Sequence, residues 1–239
     1  MANRVFVTGD THGGNDANKI IKFAENTPLD YDDYIIICGD CGVVWSKSTL
    51  KQSIDFFDNL GATILFVDGN HENFDMLKKY KPEVWNGGKV HKISKNIYHL
   101  MRGQVFEILG KKFLTMGGAS STDKEVRTEH KNWWQDEEIT YHDLLKAFDN
   151  LQKHNYCVDF VISHTQNKQA IDELVETLTA CGESVPYYLQ KKLQLVSSHV
   201  ILEELRQKTT YEQWFSGHLH INEKLKKHTI LYDEILQLI

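Results

Sequence analysis

Three short apolar runs limit the fold more than any other feature of this chain. They cover residues 4–9, 34–38 and 63–68, and all three are rich in β-branched and aromatic side chains. A strand with one wet face alternates polar and apolar residues, so an unbroken run reads as a strand buried on both faces. Between the runs lie amphipathic segments at 15–25, with Ile20, Ile21 and Ala24 on one face, and at 49–60, with Ile54, Phe57 and Leu60. Strands joined by helical crossovers form right-handed βαβ units and a mostly parallel sheet, so the fold class is α/β.

Beyond a short helix at 74–80 the texture changes. Residues 89–93, 96–100, 104–109 and 112–116 are short strand candidates separated by Gly-containing turns, the pattern of antiparallel hairpins. A small-residue loop at 117–122 leads into a polar stretch containing Trp133 and Trp134. Residues 136–154 read as a helix, with Asp136, Glu137 and Glu138 favourable in its first turn. A buried strand at 158–163 precedes helices at 168–180 and 187–207, broken near Gly182 and Pro186, and a strand at 212–216. Segments 223–225 and 230–235 would close the chain as a hairpin. With no repeat or Pro/Ser-rich linker, one domain over 1–239 is expected, with a helical excursion at about 165–208.

Composition excludes several function classes. A net charge of −6 argues against long nucleic acid or an anionic membrane as partner. No apolar run approaches the roughly 20 residues of a membrane span. The first strand follows the N-terminus at once, leaving no room for a signal peptide, so a cytoplasmic location is expected. Cys38, Cys41, Cys157 and Cys181 are too scattered for a disulfide framework. Cys38-Gly39-Asp40-Cys41 spells a C-x-x-C, but with no second such pair the thiols read as small buried hydrophobes.

The strands end in chemistry. Run 4–9 gives Asp10 and His12, run 34–38 gives Asp40, and run 63–68 gives Asn70, His71 and Glu72. Run 158–163 gives His164, and run 212–216 gives His218 and His220. Ligands of open α/β sheets bind outside these strand ends, so residues distant in sequence would converge there. Asp10 with His12, and His218 with His220, are two apart, and in extended chain such pairs face one way and would each chelate one ion. Asp10, His12, Asp40, Asn70, His164, His218 and His220 are too many ligands for one tetrahedral zinc, but they suit two ions sharing a carboxylate. Mixed oxygen and imidazole ligation points to manganese, with iron or zinc as alternatives, and not to magnesium or calcium. The remaining histidines (His91, His99, His130, His142, His154, His199 and His228) have no such setting and read as structural.

Gly9-Asp10-Thr11-His12-Gly13, Gly39-Asp40, Gly69-Asn70-His71-Glu72, Ser163-His164 and Gly217-His218-Leu219-His220 together resemble the signature of the calcineurin-like metallophosphoesterases, in the family's order. The resemblance implies a β-sandwich core flanked by helices, in α/β/β/α layers, with two divalent ions in one cleft. It implies one ion on Asp10, His12 and His220, the other on Asn70, His164 and His218, and Asp40 between them. His71 would be the general acid that protonates the leaving group. Gly39-Asp40-Cys41-Gly42-Val43-Val44-Trp45 departs from the serine/threonine phosphatase branch, which carries a further Asp and a phosphate-holding Arg there.

The expected function is hydrolysis of a phosphate ester by a hydroxide bridging the two ions, with phosphomonoesterase activity favoured. A phosphodiesterase acting on a nucleotide or small diester is the alternative, and a non-catalytic metal-binding scaffold is the alternative of another class. The substrate would be a phosphorylated small molecule, nucleotide or phosphoprotein. Glu72 would orient His71, back a ligand from outside, or serve as a helix-end charge. Of four arginines, Arg102 and Arg127 are the candidates to hold phosphate, against a solvated surface role. Trp45 and the Trp133-Trp134 pair are candidates for a stacking wall, against simple packing.

Overall fold

Val5 and Val7 point to one side of the first strand and Phe6 to the other, yet all three are buried. Val5 and Val7 join a core that also holds Ile36, Leu65, Phe106, Phe113, Ile162 and Phe215, whereas Phe6 packs with Ile20, Ile35, Ile37 and Phe57. The apolar run is unbroken because its strand is covered on both faces. A computed structural model describes residues 3–14, 16–180, 182 and 184–239.

In chain order the elements are β1 (Val5–Thr8), α1 (Asn18–Asn26), β2 (Tyr34–Ile37), α2 (Leu50–Asp58), β3 (Thr63–Phe66), α3 (Phe74–Leu77) and β4 (Pro82–Trp85). Then follow β5 (Gly88–Lys92), β6 (Ile97–Leu100), β7 (Gln104–Ile108), β8 (Lys111–Met116), α4 (Tyr141–Gln152) and β9 (Phe160–Ser163). The chain finishes with α5 (Lys168–Thr179), α6 (Tyr187–Gln190), α7 (Ser197–Lys208), β10 (Gln213–Ser216), β11 (Glu223–Lys224), β12 (His228–Ile230) and β13 (Ile235–Gln237). They build two mixed sheets, ordered β13-β1-β2-β3-β6-β5-β4 and β11-β12-β10-β9-β8-β7. The first core lies between the sheets. A second joins the outer face of the first sheet to α1, α2 and α3, and a third joins the other sheet to α4 and α7. This is the α/β/β/α layering expected from the sequence.

The parallel strands that carry the polar ends sit side by side: β1 with β2 and β3 in one sheet, β9 with β10 in the other. All five therefore release the chain at one end of the sandwich.

Several boundaries differ from expectation. Strand β4 is absent from the sequence reading, because Pro82 and an exposed face disguise it; it is an edge strand paired only with β5, where proline is tolerated. The helix expected from residue 136 begins after Thr140, whose hydroxyl and Asp143 form a capping box, and Gln135–Glu137 is a separate 3-10 turn. The helix expected over 187–207 is two, α6 and α7. The closing hairpin is β11 with β12, after which β13 crosses to pair antiparallel with β1. Asn15, the expected first residue of α1, and Cys181 lie outside the described residues.

Candidate metal centre

The turns that leave β1 and β2 lock together. The amides of Thr11 and His12 donate to the Asp40 carbonyl, at 3.1 and 2.8 Å, and that of Gly13 to the Cys41 carbonyl at 2.9 Å. Asp40 Oδ1 accepts the His71 amide at 2.7 Å, and Asp10 Oδ1 accepts the His218 amide at 2.9 Å. Each loop thus holds a candidate ligand of another. The approach is close enough that a Cβ on Gly69 would lie 2.0 Å from Asp40 Oδ1, and one on Gly217 2.2 Å from Asp10 Oδ1. His12, Asp40, His218 and His220 all adopt left-handed backbone (φ 44°, 49°, 69° and 56°). For a residue with a Cβ this costs about 1–3 kcal/mol and persists only where the surroundings impose it.

Three sets of ligand atoms gather in the cleft: Asp10 with His12 and His220, Asp10 with Asp40 and His164, and His12 with Asp40 and His71. Asp40 faces His12 Nε2 at 3.3 Å through one oxygen and His164 Nε2 at 3.4 Å through the other, so it bridges the two halves. Asn70 Oδ1 lies 3.1 Å from His164 Nε2, and the His218 ring packs edge-on to that of His164 at 5.0 Å.

Neighbouring groups set the ring nitrogens. His164 Nδ1 donates to the Cys38 carbonyl at 2.8 Å, and His12 Nδ1 meets Asp16 Oδ2 at 2.5 Å, which leaves both Nε2 atoms facing the cleft. Asn70 Nδ2 donates to Ser121 Oγ at 3.2 Å, and the Ser121 hydroxyl donates to Glu137 at 3.0 Å, which turns the Asn70 oxygen inward. Half-buried ammonium groups pin the loops from behind. Lys19 donates to the carbonyls of Gly9, Asp10 and Tyr232, and Lys192 to that of His218.

Charge and solvation fit a divalent ion. Asp10 is wholly buried, and its Oδ2 lies 3.0 Å from His220 Nε2 without hydrogen-bond alignment, an orphaned carboxylate oxygen beside a ring nitrogen. Burial opposes ionisation of Asp40, but His164 and His12 hold its carboxyl well below the usual range. Burial likewise opposes protonation of His12 and His164, yet the same carboxylates lift both to about 9. The site attracts positive charge strongly enough to overcome burial. Oxygen and imidazole donors without thiolate match manganese, iron or zinc.

Seven expected ligands and His71 therefore meet at one place. Within the last motif the structure departs from the spacing argument, which paired His218 with His220, and follows the division the resemblance implied: His220 packs on His12 at 5.2 Å and His218 on His164, so the two histidines face opposite halves. Strand alternation does not apply because β10 ends at Ser216 and both residues are left-handed. Glu72 does not orient the His71 ring. It is fully buried, and Oε1 accepts the amides of Cys41 and Gly42, at 2.9 and 3.3 Å, in the turn that carries Asp40.

The two arginines separate cleanly. Arg127 reaches the site, with its Nη2 3.5 Å from His71 Nε2 and its Nε paired with Asp123 at 2.7 Å. Arg102 does not belong to the site. It pairs with Asp68 at 2.5 Å and donates to the carbonyls of Asp136, Glu137 and Glu138, so its guanidinium is fully engaged as an internal strut.

Trp134 is buried packing whose Nε1 donates to Asp75 at 2.9 Å, whereas Trp45 faces His71 across 6.2 Å. Cys38 packs between the sheets and Cys41 under the helices, so the C-x-x-C thiols face opposite layers, and burial raises both. The structural histidines include partnered ones: His99 bonds Asp68 at 3.0 Å and His91 at 3.0 Å, and His228 meets Ser216 at 2.7 Å. Sequence reasoning missed Asp16, Ser121, Glu137, Lys19 and Lys192. Only Asp16, one helical turn beyond His12, carried a local signal.

Comparison with known proteins agrees with this geometry. The profile of the family described as calcineurin-like phosphoesterase matches residues 3–222. The crystal structure of TT1561 of Thermus thermophilus superposes with a TM-score of 0.52 at 10% identity, covering 99% of this chain and 98% of that one. The Thermus thermophilus sulfate thiohydrolase SoxB, solved with glycerol, gives a TM-score of 0.42 at 10% identity over 98% of this chain and 52% of that one. At these identities the likeness concerns the fold alone. No curated protein matches. No helix among the described residues is long and apolar enough to cross a membrane.

Proposed function

Since the chain belongs to the calcineurin-like phosphoesterases, we propose that it is a metal-dependent phosphomonoesterase with two divalent ions, manganese being the expected metal. Asp10, His12 and His220 would hold one ion, Asn70, His164 and His218 the other, and Asp40 both. The observation that carries this reading is the cluster of Asp10, His12, Asp40, His164 and His220, with Asn70 and His218 against His164, beside a buried Asp10 oxygen that has no hydrogen-bond partner among the described residues. Bound there, divalent ions supply Lewis acidity toward phosphoryl oxygens and acidify bound water.

The chain's own residues do the rest. The locked loops fix the ligand atoms before substrate arrives, so little reorganisation is left for the reaction. Arg127, held by Asp123 at Nε and by the Asn132 carbonyl at Nη1, turns its Nη2 toward His71, where a guanidinium N–H can hold a phosphoryl oxygen. That favours a dianionic monoester over a diester with one charge. His71 stands at the same point as the proton donor to the leaving oxygen. Burial, then the charge of Arg127 and the neighbouring histidines, holds His71 below its ordinary range against the pull of Asp40. A phosphate dianion beside the ring supplies the opposite charge that favours its protonated form.

The test is a substrate panel on protein stripped by chelator and reloaded with Mn²⁺. p-Nitrophenyl phosphate should be turned over with higher kcat/KM than the bis-ester. Preference for the bis-ester would overturn the monoesterase reading. Two ions bound with no phosphoester hydrolysed would replace it by a metal-binding scaffold.

A further inference from the structure

A pocket of about 350 Å³ opens beside the metal centre, between His12 and His71 on one side and Trp45, Thr49 and Ser53 on the other. Its lining carries no carboxylate, ammonium or guanidinium. Ser53 on α2 is only 6% exposed, and its hydroxyl has no hydrogen-bond partner among the described residues. The Trp45 ring is tilted 45° to His71 and braced edge-on by Trp134 at 5.8 Å, so it is held in place at the pocket wall. The floor is bare backbone. Gly13 and Gly42 approach so closely that a Cβ on Gly42 would lie 2.4 Å from the Gly13 nitrogen.

We propose that this pocket receives the alcohol half of the ester, and that its fitting occupant is a nucleoside, a compact uncharged group with a planar base. This rests on the phosphomonoesterase reading for the position of the leaving group: an oxygen protonated by His71 directs the rest of the alcohol across that ring toward Trp45. An indole wall offers stacking to a flat ring. The single free hydroxyl of Ser53 asks for a ring edge that carries polar atoms, which a nucleobase has and a phenyl lacks. Apart from His12 and His71 at the metal end, the lining carries no ionisable side chain, so the further charges of sugar bisphosphates and acidic phosphopeptides would be desolvated without a partner deeper in the pocket. The substrate class is therefore a nucleoside monophosphate.

Two measurements test this. The first compares kcat/KM of the Mn²⁺-loaded protein on adenosine 5′-monophosphate, phenyl phosphate and glycerol 2-phosphate, in wild type and in Trp45→Ala and Ser53→Ala. Base–aromatic stacking predicts that Trp45→Ala lowers the ratio of the nucleotide to glycerol phosphate roughly five- to a hundredfold. Ser53→Ala should lower the ratio of the nucleotide to phenyl phosphate several-fold, with near-native melting showing that the fold is intact. Equal losses on all three esters, or a wild type preferring glycerol phosphate, would overturn the proposal. The second titrates adenosine, which has no phosphate, against intrinsic fluorescence of wild type and Trp45→Phe. Quenching present only in the wild type supports the pocket even if no ester is hydrolysed, and its absence refutes the pocket even if monoesters are hydrolysed.

Discussion

At the scale of the residue, proximity separates roles that sequence left together. Asp40 is the candidate ligand whose two oxygens face both halves of the cleft, at 3.3 and 3.4 Å from His12 and His164. Asp40→Asn should therefore lose both ions and all activity, measured by metal analysis after gel filtration. His71 shares the cleft and lies within ligand distance of His12 and Asp40, but the proposed ligand is its neighbour Asn70. His71→Asn should keep both ions and lose roughly 10²–10⁴ in kcat, most on poor leaving groups; an emptied metal site would contradict its role. Ser121 has no ligand atom in the cleft, yet it is the acceptor of the Asn70 amide. Ser121→Ala should weaken one of the two ions about 10- to 100-fold in calorimetric titration while sparing the other.

At the scale of the element, the buried group formed by Asp68, His99 and Arg102 ties the end of β3 to β6 and to the 3-10 turn before α4. Burial would raise the Asp68 carboxyl, but Arg102 and His99 pull it well below the usual range. Arg102→Met leaves that buried carboxylate with His99 alone and should cost about 3–5 kcal/mol in urea unfolding. If Arg102 were instead a substrate contact, the variant would raise KM with stability unchanged. The capping box of α4 is a smaller effect of the same local kind. Thr140→Ala should cost about 1 kcal/mol and leave kcat/KM intact.

At the scale of the whole molecule, buried histidines set the acid limit. Burial holds His91 and His199 down to about 4 and His228 down to about 3, all below the ordinary 6.5. Their folded forms refuse protons that the unfolded chain accepts, so the contribution of these three histidines is full above 6.5 and falls as pH drops toward 4 and 3. Each such proton steepens the loss by up to about 1.4 kcal/mol per pH unit. Equilibrium denaturation between about pH 7 and pH 4 checks it, and a midpoint flat over that range would contradict it. Metal acts in the opposite sense, because ions bind the assembled cleft and not the separated loops. Mn²⁺ at about a hundred times its dissociation constant should add about 2.7 kcal/mol, and chelator should lower Tm by several degrees.

The sequence by itself determined the five buried parallel strands, because a strand covered on both faces must be apolar throughout, and it singled out the candidate ligands, because each ends such a strand with a polar group that packing alone does not require. It also placed Arg127 among the phosphate candidates. The motif resemblance already implied how those groups divide; tertiary structure supplied the physical reason and decided the supporting contacts. His218 and His220 face opposite halves because the chain leaves β10 in left-handed conformation, which no spacing rule anticipates. Arg102 is a strut and Arg127 a neighbour of His71 because Asp68 lies beside one and not the other. Glu137 reaches Asn70 only through Ser121, a contact between residues far apart in the chain. Local sequence writes secondary structure through side-chain periodicity and backbone preference. Which buried charge meets which partner depends on how the two sheets and their loops come together.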